Sequence, residues 1–235
     1  MKGEALMYDF GDGEVAAYRW INADGIQGGI VAESARVDDT AVIGAGATIG
    51  EDAVIGYMAV IGDTAIIGEE ASIARWASIG AYAFIGAYAR IGDGASVGAY
   101  APIGDRSVIG DGASIGAYAS IGDMAFIGSD ARIGDRSVIG DGASIGDGAS
   151  IEGDDWYITG GPCGSRKAMW TAVHNRDYGL RWWVGCQYGI STDALLERVA
   201  EAHGDNKHAQ SYRHAVQCVT THPEYLKRTQ EGQSE

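Results

Sequence analysis

Residues 107–146 read SVIGDGASIGAYASIGDMAFIGSDARIGDRSVIGDGASIG, with a Gly following an Ile at every sixth position and no slip. Helical side chains recur at about 3.6 residues and strand side chains at about 2, so a period of six belongs to neither element alone. Counted outward from this stretch, positions 37, 43, 49 and so on to 151 make twenty sites, every one Ile except Val37 and Val97. The residue two before each site is Ala, with Ser only at Ser107 and Ser137. The residue after each site is Gly in seventeen of the twenty, the departures being Asp38, Ala74 and Glu152.

Such a unit is one short strand and one corner, with the aliphatic residue and the small Ala both facing inward and one outward residue between them. Three units close a triangular coil, and a unit that cannot bury its Ile alone must stack on its neighbours. The pattern resembles the hexapeptide-repeat family over residues 35–151. That resemblance implies a left-handed parallel β-helix; the handedness rests on it, because general topology favours right-handed crossovers. The expected fold is therefore mainly β. A little over six coils give a rod roughly 30 Å long, with Ile columns filling the axis and Gly relieving the corner backbone.

Outward residues on one face, Thr48, Ile66, Phe84, Pro102, Ser120 and Val138, form the most apolar of the three ladders and are the candidate homotrimer interface that the family implies. Tyr82, Tyr100 and Tyr118 occupy one corner on successive coils and are expected to stack about 4.8 Å apart, with Arg136 on the next coil.

The net charge of −15 is unevenly placed: residues 1–149 hold 8 basic and 21 acidic side chains. Such a column repels a polyanion, so nucleic acid is not an expected partner. No apolar run has the length of a membrane span, and the first residues lack the apolar core of a signal peptide, so a cytoplasmic location is expected, the host cytoplasm if the protein is phage-encoded. Three Cys (Cys163, Cys186, Cys218) without CxxC spacing read as reduced, mostly buried thiols rather than a disulfide framework or zinc site.

Ahead of the repeat, residues 1–34 read as a hairpin-like cap. Runs at Val15 to Trp20 and Gly29 to Ala32 are broken by Gly-Asp-Gly and Ala-Asp-Gly turn signals, and an open β-helix end needs covering. These loops look like the opening segments of hexapeptide proteins encoded by phages. After residue 152 the period stops, and 153–235 read as a small α+β domain. DDWYITGG, KAMWTAVHN and GLRWWVGC are strand-like, and TDALLERVAEAHG and NKHAQSYRHAVQCVTTH are helical, with Thr192 and Asp205 or Asn206 as caps and Gly204 as a stop. Trp156, Trp170, Trp182 and Trp183 are its expected core. The domain resembles an uncharacterised C-terminal domain of phage proteins, which carries no functional residues over.

The hexapeptide family is best known for acyltransferases whose general base is a His on a coil or loop. Here all five His, at 174, 203, 208, 214 and 222, lie outside the repeat, and the three coil His of related zinc enzymes are absent too. The most suggestive local signal is TGGPCGSRK, residues 159–167. A Gly-rich turn exposes successive N–H groups, Ser165 adds a hydroxyl and Arg166 a fork of donors suited to phosphate or carboxylate. A tight turn needing positive φ at Gly160, Gly161 and Gly164 explains the same residues. His174 and Arg181 on neighbouring strands are placed to complete a pocket, and Trp182, Trp183 and Tyr188 to stack on a base.

The expectation is a non-enzymatic binding protein, leaning away from an enzyme. In it a trimeric β-helix scaffold carries C-terminal domains that bind an anionic, nucleotide-like small molecule at Gly161, Gly164, Ser165, Arg166, His174 and Arg181, with no metal and no cofactor. The phage resemblance implies sequestration of a host immune signal as its use. The alternatives are a structural or protein-interaction scaffold, and an acyltransferase in which His174 reaches a neighbouring column.

Overall fold

The computed structural model describes residues 1–11, 13–153, 155–165, 168–175, 178–184 and 187–231. Three longer strands come first, β1 (Lys2–Asp9), β2 (Glu14–Ile21) and β3 (Gln27–Ala32). Twenty two-residue strands follow at intervals of six, from β4 (Arg36–Val37) to β23 (Ser150–Ile151). Every third strand falls on the same face, so three parallel sheets run along a triangular rod. The register is exact to the residue: Ile49 pairs with Ile67, Ile67 with Ile85 and Ile85 with Ile103. This three-sided parallel solenoid has the architecture expected of the left-handed β-helix.

The rod begins earlier than the Ile pattern does. β3 pairs antiparallel with β2 on one edge and parallel with β6 (Thr48–Ile49) on the other, with Val31 opposite Ile49. Val31 is fully buried and sits one period before Val37, so each face holds seven rungs rather than a little over six. Gly29 takes the place of the inward Ala because a Cβ there would lie 2.0 Å from the Ala47 carbonyl. The cap is a three-stranded meander whose Tyr18 and Trp20 cover the first coil. Asn22 stands in for a missing strand. Its Oδ1 accepts from Ile43 N and from Trp20 Nε1, and its Nδ2 donates to Ile43 O, closing an edge that would otherwise carry unpaired backbone.

The corners correct the expected role of Gly. From Ile43 to Ile145 the left-handed residue is the third after the inward Ile or Val, and in thirteen cases it is not Gly, with φ between 52° and 61°; Tyr82, Tyr100, Tyr118 and Arg136 are among them. Each such residue costs about 1–2 kcal/mol. Part of that is offset because its N–H donates to the coil before, as Tyr100 N does to Ala81 O at 3.0 Å and Tyr118 N to Ala99 O at 2.9 Å. The Gly that follows the Ile serves a different need, close approach: a Cβ on Gly98 would lie 2.4 Å from Ala117 N and 2.5 Å from Gly116 C on the next coil.

The acidity of the rod is also structural. Carboxylates of Asp105, Asp123 and Asp141 each accept the N–H of the residue eighteen positions earlier, Ala87, Asp105 and Asp123, which makes a continuous ladder up one corner. The Tyr ladder forms as expected, with Tyr82 and Tyr100 stacked at 4.8 Å and Tyr100 and Tyr118 at 4.9 Å.

Beyond the rod, β24 (Trp156–Cys163), β25 (Ala168–Asn175), β26 (Gly179–Val184) and β27 (Gln187–Ile190) form an antiparallel sheet. Helices α1 (Thr192–His203), α2 (Lys207–Thr220) and α3 (Pro223–Glu231) cover one side of it. The caps are Ser191, one residue before the expected Thr192, and Asn206, with Gly204 ending α1. β27 and α3 go beyond the three strands and two helices expected; α3 is short and polar, and its signal is Pro223 at the first helical position.

The other side of the sheet sits on the last coil. Tyr157, Val173 and Trp183 join the rod's core, while Trp170 and Trp182 pack with the helices, so the four Trp do not share one core. Thr171 Oγ1 accepts from Gly146 N and donates to Ser144 O; Tyr157 Oη accepts from Gly140 N and donates to Val138 O. Among the described residues no helix is long and apolar enough to cross a membrane.

Candidate functional site

The residues expected to hold an anion are parted by the sheet. Cys163 pairs with Ala168 at the turn, whereas His174 pairs with Trp156 at the opposite end of the same two strands, roughly 20 Å away at strand rise. His174 faces the helices beside Tyr225, with ring centroids 5.4 Å apart. Arg181 pairs with Val173 and so points to the other side, where it lies over the Tyr178 ring. At the turn only Gly164 of the three expected glycines has positive φ, 69°. Its N–H donates to Ser211 Oγ at 2.9 Å and is not offered outward, and a Cβ there would meet the Tyr212 hydroxyl. The turn is thus a seat for α2. Gly160 and Gly161 lie within β24, and Gly160 makes room for the Trp170 indole. Ser165 is exposed; Arg166 and Lys167 lie outside the described residues.

Of the thiols, Cys163 is buried, and burial pushes it up to about 11. Cys218 is exposed, against the expectation, with its Sγ 3.6 Å from His214 Nε2. Cys186 lies outside the described residues.

Burial lowers the His174 imidazole below its ordinary value, Arg228 adds to the effect and Asp155 opposes it. The folded ring therefore resists the proton that the unfolded chain accepts below about pH 6.5. As pH falls through that value, unfolding of the terminal domain is favoured until the folded ring also protonates. Urea midpoints of the wild type are expected to fall more steeply below pH 6.5 than those of His174→Gln; parallel profiles would reject this assignment.

A concave site forms where the terminal sheet overhangs the last coils. The cleft, of about 380 Å³, is lined by Phe126 and Ser144 from one face of the rod, Gly146 and Asp147 from a corner, and Met169, Trp183 and Tyr188 from the sheet. Phe126, Met169 and Tyr188 are each about half exposed, so three large apolar side chains left open by the described residues meet in one place. Its size falls within the range of small-molecule pockets. Among the described residues of this lining, Asp147 is the one carboxylate. Its Oδ1 accepts from Ser129 N at 3.0 Å, which fixes the side chain to the corner. The individual residues of this site carry no motif, and only the regular Gly-Asp corner marks Asp147 in the sequence.

Residues 118–153, the last coils including the rod wall of this cleft, match the family described as bacterial transferase hexapeptide (six repeats). No curated protein matches the chain. Among solved structures, the chain is similar to a GDP-perosamine N-acetyl transferase from Caulobacter crescentus, at 18% identity over 58% of this chain and 55% of that one, with a TM-score of 0.42. It is similar to a hexapeptide transferase family protein from Anaplasma phagocytophilum at 22% identity over 55% and 75%, with a TM-score of 0.37. It is also similar to the acetyltransferase domain of PglB from Neisseria gonorrhoeae at 22% identity over 53% and 54%, with a TM-score of 0.28. The chain thus spans little more than half the length of the first of these. The family match corrects the expectation of a non-enzymatic binder, and with it the leaning away from an enzyme: residues 118–153 of the repeat are described by a family of transferases.

Proposed function

We propose that this protein is an acyltransferase that moves an acyl group from a thioester to an acceptor held in the cleft between the last coils and the terminal sheet. The observation that carries this reading is the transferase match over residues 118–153, the stretch that contributes Phe126, Ser144 and Asp147 to the cleft. With every His outside the coils, the proton acceptor is a carboxylate. The acceptor's oxygen or nitrogen attacks the thioester carbonyl and its proton passes to Asp147; the C–S bond then breaks, and the departing thiolate takes up a proton.

Purified protein supplied with acetyl-CoA and a panel of amines and alcohols is expected to release free thiol in an acceptor-dependent way. Asp147→Asn should lower kcat by about 100-fold. Thiol release that no acceptor accelerates, or full activity in that variant, overturns the reading.

The rods are proposed to associate as homotrimers through the face that carries Thr48 to Val138, where Ile66, Phe84 and Val138 are exposed along one sheet, continuous with a groove that also takes in Phe10. Ile66→Asp combined with Phe84→Asp should give a smaller species by light scattering. An unchanged mass would reject this face.

A further inference from the structure

We infer that the acceptor held in this cleft is a small organic ammonium ion with an apolar body; the inference rests on the acyl-transfer reading and names the substrate class of the same site. The lining brings together three aromatic rings, Phe126, Trp183 and Tyr188, the Met169 thioether and a single carboxylate, Asp147, with no Lys or Arg among its described residues. Aromatic faces attract a cation through the ring quadrupole, and do so more strongly where water is partly excluded. A lone carboxylate supplies the counter-charge, and the apolar walls accept an alkyl or aryl body. An anion finds none of these. It would lose its hydration to rings whose faces repel it, beside Asp147. A neutral alcohol would gain the apolar contacts without the charge.

The fixed position of Asp147 strengthens the assignment. One of its oxygens is occupied by Ser129 N, so the group cannot swing away, and its second oxygen carries the free lone pairs. Asn at this position keeps an oxygen that can accept from Ser129 N while removing the charge, which separates binding from folding. In the transfer reaction the bound ammonium gives its proton to Asp147, and the freed amine attacks the thioester carbonyl. The C–N bond forms as the C–S bond breaks; the second proton lost by the nitrogen passes to the departing thiolate, which leaves as the thiol, and Asp147 returns its proton to solvent.

The test is calorimetric titration of the whole chain, without any thioester, with phenethylammonium, 2-phenylethanol and 3-phenylpropionate. The ammonium is expected to bind at least about tenfold more tightly than the alcohol, and the carboxylate more weakly than either. Asp147→Asn should remove the advantage of the ammonium and leave the alcohol unchanged; Tyr188→Leu should weaken the ammonium more than the alcohol. Equal affinity for ammonium and alcohol, an Asp147→Asn variant that still prefers the ammonium, or no heat with any of the three overturns the inference. Because no acyl donor is present, the two claims fail separately. Transfer to alcohols without ammonium preference sinks the substrate class alone, whereas ammonium selectivity without transfer to any acceptor supports the ligand class and removes the acyl-transfer reading.

Discussion

Gly98→Ala is expected to destabilise the rod by about 1–3 kcal/mol, the usual range for overpacking a filled interior. The added methyl would meet Ala117 N at 2.4 Å, Gly116 C at 2.5 Å and Ala117 Cα at 2.8 Å, all of them backbone, so no side chain can turn aside to admit it. The next coil would have to move, which strains the Gly98 N–H bond to Ile115 O, now 2.8 Å, and the ladder of Ile beneath it. At this chain length the change corresponds to roughly 2–4 °C of Tm per kcal/mol. The matched control is Gly140→Ala. Gly140 holds the same place in the repeat, but no coil lies above it and nothing comes within 4 Å of a Cβ there. That substitution should be neutral or stabilising by about 0.4–1 kcal/mol through the unfolded chain. Thermal unfolding of both variants decides the matter, and equal shifts would mean that coil spacing is not what demands Gly.

A larger loss is expected at the axis. Ile61→Ala should cost about 2–5 kcal/mol, because Ile61 is 1% exposed and stacks in register on Ile43 below and Ile79 above, leaving a cavity that rigid coils cannot close. Val60, its neighbour in the same two-residue strand, points outward and is 42% exposed. Val60→Ala should change stability by no more than about 0.5 kcal/mol. Denaturant unfolding of the pair measures the inside–outside alternation directly, and comparable losses would place Val60 in an interface.

The sequence by itself determined the rod. An unbroken six-residue period places Ile and Ala inward at every unit, and any slip would turn whole ladders to solvent, so register, face and the stacking of Tyr82, Tyr100 and Tyr118 follow from counting alone. It did not reveal why Gly follows Ile, since Gly serves both positive φ and close approach, and only coordinates place the left-handed residue two positions later, at Tyr100 rather than Gly98. Nor did it reach the first rung: Val31 sits where Gly29 replaces Ala, and only its pairing with Ile49 brings it into the rod. The terminal domain was legible as strands and helices because periodicity is local. Which face of its sheet meets the rod depends on contacts between residues such as Thr171 and Ser144, far apart in the chain.

The same distinction separates the two sites. Gly161, Gly164, Ser165, Arg166, His174 and Arg181 are near in sequence, yet strand alternation and the length of the hairpin send His174 and Arg181 to opposite sides and give the Gly164 N–H to Ser211. The cleft of Phe126, Asp147, Met169 and Tyr188 exists only because the sheet folds back over the last coils. Proximity in that cleft is a product of packing between segments, which a one-dimensional period does not encode.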